Sequence, residues 1–211
     1  MKKITRKKHL EMRLQSIPYH PNPKVGLEQY TTPSVIASDL VWNAYSLGDI
    51  EDRDVVDLGC GTGVFAIASA LMGANSSVGI DIDNDSIELA NDVAVKLKAH
   101  NVKFIECDID NFNLAANADT VFQNPPFGSQ KLAEHGSDLK FLKKAADLHP
   151  DVIYSFHMAS SEDFLIRYYN DNNFLITHIF RYSFPIPKIY DFHTKENQNV
   201  AVIVIRAELK F

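Results

Sequence analysis

The chain lacks any apolar run long enough to span a bilayer as a helix, which takes about 18 consecutive apolar residues. Its start, Met1-Lys2-Lys3, runs into further charged residues and not into the apolar core of a signal peptide. A membrane protein or an exported one is therefore not expected, and the sequence reads as cytoplasmic. Only two cysteines are present, Cys60 and Cys107, too few for a metal cluster by themselves. Both are expected to be reduced, as in a cytosol. His135, His149 and His157 have no metal-ligand spacing, so no metal is expected. Nine Gly and nine Pro leave no material for a low-complexity linker, and no internal repeat is found. Positive charge is scarce overall: the net charge of −6 argues against sequence-blind coating of nucleic acid.

What is present is enough for one full core. With 211 residues, 45% of them hydrophobic, one α/β domain is expected over residues 1–211. A helical segment, residues 1–50, precedes a core over 51–211. Leu10, Leu14 and Ile17 keep helical spacing, and Pro18 to Pro23 end that first helix. Thr32-Pro33 reads as the N-cap and first-turn proline of a helix running through Tyr45. Strands are predicted at about 54–58, 77–82, 102–106, 119–123, 151–156, 175–184 and 199–206. Helices are predicted at 64–72, 84–98, 138–147 and 161–170. The alternation predicts a Rossmann-like, seven-stranded, mostly parallel sheet with helices on both faces. No helix fits between Phe184 and Val200, so the last two strands are predicted to form an antiparallel hairpin with a long loop. Trp42 is expected in the core, and Phe180, Tyr182 and Phe184 on the buried face of their strand. Charge is uneven along the chain. Lys2, Lys3, Arg6, Lys7, Lys8 and Arg13 face Glu11 alone in residues 2–13, either as a solvated end or as a local footprint for phosphates.

Two motifs carry chemistry. At the end of the apolar run 119–123, Asn124-Pro125-Pro126-Phe127 stops a strand, because neither proline can donate to a ladder. Beyond that stop, an amide side chain, a rigid carbonyl and an aromatic ring suit a planar amine, with N–H groups to hold and a face to stack on. That is a site for an adenine or for an amide nitrogen, set against the plainer reading of a loop. Upstream, Asp54-Val55-Val56-Asp57-Leu58 runs into Gly59-Cys60-Gly61-Thr62-Gly63 and then an apolar helix. Such glycines let the chain turn sharply and let a ligand approach the backbone. A dinucleotide fingerprint needs its last glycine at position 64, where Val64 stands. In open α/β sheets the ligand lies beyond the carboxyl ends of the strands. Asp57, Asp81 and Asp108 fall there, as acidic side chains able to accept from a ligand's N–H or O–H groups; each is also an ordinary cap or turn residue. Asp83, beside them, reads as a helix N-cap.

On these motifs the chain resembles the class I S-adenosylmethionine-dependent methyltransferases. More narrowly, it is similar to the methyltransferase-like subfamily that makes N6-methyladenosine on small-subunit ribosomal RNA, including its archaeal members. The resemblance rests on Leu27-Glu28-Gln29-Tyr30-Thr31-Thr32-Pro33, Asp57 to Gly63, Gly79-Ile80-Asp81-Ile82-Asp83, Cys107-Asp108, Asn124 to Gly128, and Arg181-Tyr182 with Phe192-His193. It implies that Gln29, Thr32, Gly59, Thr62, Val64, Asp81 and Asp108 bind S-adenosyl-L-methionine, with Asp57, Gly61 and Gly63 completing the site. It also implies that Asn124, Pro125, Pro126 and Phe127 hold the target base. An RNA substrate and a small zinc-binding activator subunit, docked by strand addition, are implied partners. After Phe192-His193 the family tends to be more basic than Thr194-Lys195-Glu196. Lys188, His193 and Lys195 are the basic residues expected near the pocket mouth. A methyltransferase acting on protein glutamine amides, or a non-catalytic RNA-binding subunit, are the alternatives. The first usually carries an added N-terminal domain, and intact motifs argue against the second.

Overall fold

In a computed structural model, the structure describes residues 4–24, 27–114, 118–126, 137–187 and 197–210. Helix α1 (Lys7–Leu14) and α2 (Ser34–Ser46) precede the alternating core. The core then runs β1 (Asp54–Leu58), α3 (Val64–Leu71), β2 (Ser76–Asp81), α4 (Asn84–Leu97), β3 (Val102–Glu106) and β4 (Thr120–Gln123). It continues through α5 (Ser137–Asp147), β5 (Val152–Met158), α6 (Glu162–Asp171), β6 (Phe174–Pro187) and β7 (Asn197–Leu209). The seven strands form one sheet in the order β3-β2-β1-β4-β5-β7-β6. The first five are parallel, while β7 runs antiparallel between β5 and β6.

The predicted architecture is therefore present, with one element larger than expected. Strands β6 and β7 pair from Phe174↔Leu209 out to Pro187↔Asn197, so the hairpin is longer than predicted; the expected connecting loop, residues 188–196, lies outside the described residues. Pro185 and Pro187 are tolerated inside β6 because it is the outermost strand of the order, where one edge needs no ladder donor. Lys188, Phe192, His193 and Lys195 lie outside the described residues, as do His135 and Phe127.

Alternation along the strands divides the core in two. Val55, Phe122, Tyr154, Phe156, Val202 and Val204 join α1–α4 on one face. Val56, Leu58, Val121, Ile153, Ile203 and Ile205 meet α5 and α6 on the other. Helix α3 is apolar all round, and all eight of its residues are buried because α1 and α2 cover its outer side. Helix α4 is amphipathic, burying Ser86, Ile87, Ala90, Val93, Ala94 and Leu97 at helical spacing. Trp42 packs, half-buried, against the first cluster, and Phe180 and Tyr182 do the same beside fully buried Phe184.

One buried ion pair locks the late strands to the early chain. Arg206 of β7 donates through Nε to Asp49 Oδ2 at 2.8 Å and through Nη2 to Oδ1 at 2.9 Å. The Tyr154 hydroxyl donates to the same carboxylate at 2.5 Å. Removing one member of such a buried set costs about 3–5 kcal/mol, because the other is left uncompensated.

Candidate active site

The strand order reverses between β1 and β4, and the cavity opens at the carboxyl ends on either side of that reversal. It encloses about 470 Å3 and is lined from β1, β2, the turn after β3, the end of β4, α5 and the segment 20–32. Gly59, Gly61, Thr62, Val64, Asp57, Asp81, Asp108, Gln29, Thr32, Asn124 and Pro126 all reach it. Gly63 does not. The three loop glycines all have positive φ, of 66°, 51° and 81° in chain order, yet they answer different demands. A side chain on Gly61 would meet nothing within 4 Å, so its backbone faces open space. On Gly63 it would lie 2.7 Å from the Phe104 ring, so that glycine is needed for packing of α3 against β3 and not for the ligand.

The acidic residues are held in distinct ways. Asp81 accepts the Gly61 N–H at 2.8 Å and the Asp83 N–H at 2.9 Å, one on each oxygen. Burial nevertheless pushes its carboxyl above the usual range. Asp57, 1% exposed, accepts the Ala66 N–H at 3.0 Å. Burial, with the Asp81 charge nearby, raises its carboxyl to about 7. A cationic group placed beside such a carboxyl would restore its charged form.

Asp83 keeps the predicted N-cap position, while its side chain serves other partners. It stands at the N-cap position of α4, but its side chain caps no helical N–H. Instead the buried carboxylate gathers the segment that crosses the cavity. Gln29 Nε2 donates to its Oδ2 at 2.7 Å, Ser86 Oγ donates at 2.9 Å, and Lys24 Nζ pairs with Oδ1. His20 Nε2 lies 3.1 Å from Oδ2. Burial alone would raise this carboxyl, but the bonds from Lys24, Gln29 and Ser86 outweigh it and hold the carboxyl down to about 2. Gln29 thus lines the cavity with its amide already engaged, since its Oε1 also accepts the Lys24 N–H at 2.7 Å. Asp108 is likewise partly used. Its Oδ1 accepts the Asp110 N–H and Lys140 Nζ, both at 3.0 Å, and these bonds lower its carboxyl.

Thr32 is also placed differently from its expected N-cap role. Pro33 occupies that position, and its carbonyl accepts from Ile36 and Ala37 at 2.9 Å. The freed Thr32 hydroxyl accepts from Asn124 Nδ2 at 3.0 Å. Asn124 Oδ1 is left buried without a hydrogen-bond partner. Pro125 is buried and bounds a smaller recess beside Asn124, together with Glu28, Tyr30, Pro126 and Phe184. Behind the motif, Gln123 Nε2 donates to Ser155 Oγ at 2.8 Å, and Ser155 Oγ lies 2.6 Å from His157 Nε2. Burial depresses that imidazole to about 3, so it stays neutral.

Several lining residues were given no role from sequence: Lys140 and Phe141, and Glu28, which was quoted only as part of the segment Leu27 to Pro33. Phe141 comes from α5, and its ring would lie 2.8 Å from a side chain placed on Gly59. No local pattern marks an α5 residue as a wall of the glycine loop. Among the described residues, no group of three or more His, Cys, Asp or Glu is arranged to hold a metal. No helix there is long and apolar enough to cross a membrane.

A sheet of this order, with a glycine loop after β1 and acidic residues at the ends of β1 and β2, defines a class, and comparison with known proteins agrees. A family model described as a methyltransferase domain matches residues 51–182, and the chain belongs to that family. Along nearly its whole length it is similar to particular members. It is 33% identical to the rRNA N(6)-adenosine-methyltransferase METTL5 of Danio rerio, over 94% of this chain and 97% of that protein. It is 42% identical to the uncharacterized protein MJ0284 of Methanocaldococcus jannaschii, over 97% of this chain and 95% of that protein. The crystal structure of PH1948 from Pyrococcus horikoshii, a proposed RNA methyltransferase, superposes with a TM-score of 0.88 at 36% identity. It covers 99% of this chain and 100% of that one.

Proposed function

We propose that the protein methylates the N6 amine of adenine in RNA, with small-subunit ribosomal RNA as the substrate. S-adenosylmethionine is the cofactor, and when bound it supplies an electrophilic methyl group on a sulfonium. The residues fit it: the cavity has an open backbone at Gly61, a carboxyl at Asp57 waiting for a cation, and a fixed carboxylate at Asp81. In this reading Asp57 pairs with the ammonium, Asp81 accepts from the ribose hydroxyls, and Asp108 and Phe141 border the adenine end.

The observation that carries the acceptor assignment is the Asn124 side chain. Thr32 fixes its Nδ2, so its buried, unpartnered Oδ1 faces the task of accepting a hydrogen bond from a ligand N–H. A buried acceptor left unmade costs about 1–3 kcal/mol, and an incoming amine removes that cost. Asn124 Oδ1 and the Pro125 carbonyl would each hold one N6–H. That pulls the nitrogen toward tetrahedral geometry and localises its lone pair. Phe127 would stack on the base, a contact worth about 1–3 kcal/mol. Positioning and electrostatics supply the acceleration.

A small zinc-binding activator, expected from the resemblance, would add its strand at a sheet edge. Exposed Ile105 on the edge strand β3, with exposed Val95 on neighbouring α4, supports apolar contacts there. A cytoplasmic setting suits the free thiols of Cys60 and Cys107.

The test is methyl transfer from radiolabelled cofactor to a panel, followed by nucleoside analysis. The panel holds small-subunit ribosomal RNA lacking the modification, large-subunit RNA, duplex DNA and total protein. Label recovered as N6-methyladenosine in the small-subunit RNA is the expected result. Label in protein moves the assignment to glutamine amides. No label with cofactor bound calls for the activator to be added.

A further inference from the structure

The recess beside Asn124 and the cofactor cavity share four lining residues: Glu28, Tyr30, Asn124 and Pro126. These stand where a methyl donor and an acceptor amine would meet. Among the described residues bounding the recess, Glu28 is the one carboxylate. It is 6% exposed, so the side chain is held away from bulk water. Its backbone is left-handed, with φ of 46°, a conformation that costs a non-glycine residue about 1–3 kcal/mol. A tight turn holds it there, with the Tyr30 N–H donating to the Glu28 carbonyl at 2.7 Å. Strain of this kind persists only where surrounding structure imposes it, and it clusters at functional sites.

Chemistry gives this carboxylate a task that the other lining groups cannot perform. The nitrogen lone pair forms the new N–C bond while the C–S bond breaks and its electrons return to sulfur. Positive charge thereby leaves the sulfur and arrives on the nitrogen, which still holds both of its protons. The oxygens of Asn124 and Pro125 are neutral amide oxygens, able to accept hydrogen bonds but too weakly basic to keep a proton. We infer that Glu28 is a further catalytic residue: its carboxylate stabilises the charge arriving on the amine and takes the proton the methylated nitrogen sheds. The products are then the thioether, the neutral methylated amine and a Glu28 carboxylic acid, which returns its proton to water. This inference rests on the acceptor reading above.

Single-turnover methylation of the RNA substrate at saturating cofactor tests it, with wild type, Glu28→Gln and Glu28→Ala side by side. Cofactor affinity is measured separately by calorimetry. The expected result is a rate lower by about 100-fold or more in both variants, the usual worth of a positioned acid–base group, with cofactor affinity unchanged. Added formate is expected to restore part of the rate in Glu28→Ala, whose cavity has room for it, but not in Glu28→Gln. A merely structural role would not respond to formate. Wild-type rate in Glu28→Gln, no recovery of Glu28→Ala with formate, or lost cofactor affinity with an unchanged saturated rate would each overturn the inference. If the wild type itself places no label on adenine N6, the acceptor reading has failed, and that failure is seen before any variant is compared.

Discussion

The two ends of the site treat their polar groups differently. At the β1–β2 end nearly every acidic group has partners within the protein. Asp81 is held by two backbone N–H groups, and Asp83 by Lys24, Gln29 and Ser86. At the β4 end, Asn124 Oδ1 and, on the opposite side of the strand, Gln123 Oε1 are buried without partners. Groups already satisfied lose little on receiving a ligand and do not need to move, so the cofactor end is preorganised. Groups left unmade gain most when a ligand arrives, so on the proposed reading Asn124 is completed by the substrate. The proposed function then predicts selectivity for an amine, because an acceptor lacking N–H groups would leave Asn124 Oδ1 unpaired.

Substitutions at the two ends should separate cofactor binding from transfer. The largest effect at the cofactor end is expected for Asp81→Ala. Loss of charge-assisted bonds to two hydroxyls should weaken cofactor binding by about 100-fold, measured by calorimetry, with the fold checked by near-UV circular dichroism. Unchanged affinity would remove Asp81 from the cofactor site.

Asp57→Asn sharpens the electrostatic side. Burial raises the folded carboxyl to about 7, above the ordinary aspartate value of about 4, so the folded state holds more protons than the unfolded one between those values. Stability of the cofactor-free protein should therefore fall as pH rises through that window, by on the order of 4 kcal/mol. Asp57→Asn should lack that decline and be the more stable form at pH of about 8. In wild type near pH of about 6, cofactor binding should release a proton from Asp57, read by calorimetry in buffers of different ionisation enthalpy.

A smaller effect is expected at the acceptor end for Thr32→Val. Losing one neutral hydrogen bond should slow transfer by about tenfold and leave cofactor affinity unchanged. The rate would fall because Asn124 becomes free to rotate its amide.

Much of the frame was legible from sequence, since strand–helix alternation is a local signal. The seven strands, the late hairpin, and Asp57, Gly61 and Asp81 at the cavity all follow from residue type and position along strands. Legibility stops where partners come from distant segments. Asp83 carries a good N-cap residue type, but the groups that claim it lie in the segment 20–29, more than fifty positions earlier. Thr32 fits a cap pattern equally well, yet its hydroxyl meets Asn124, 92 positions later. Gly63 belongs to a ligand-binding motif by spacing and to helix packing by contact. Glu28 was visible in the segment Leu27 to Pro33, but its burial and left-handed backbone are not written in any local pattern.

The most direct test of the central claim is Asn124→Ala, assayed twice on the same preparation, for cofactor affinity and for single-turnover methyl transfer to RNA. The account predicts cofactor affinity close to wild type and transfer lowered by about 100-fold or more, as when one preorganised transition-state hydrogen bond is removed. Transfer at the wild-type rate would contradict it, because the buried amide oxygen would then have no part in holding the acceptor.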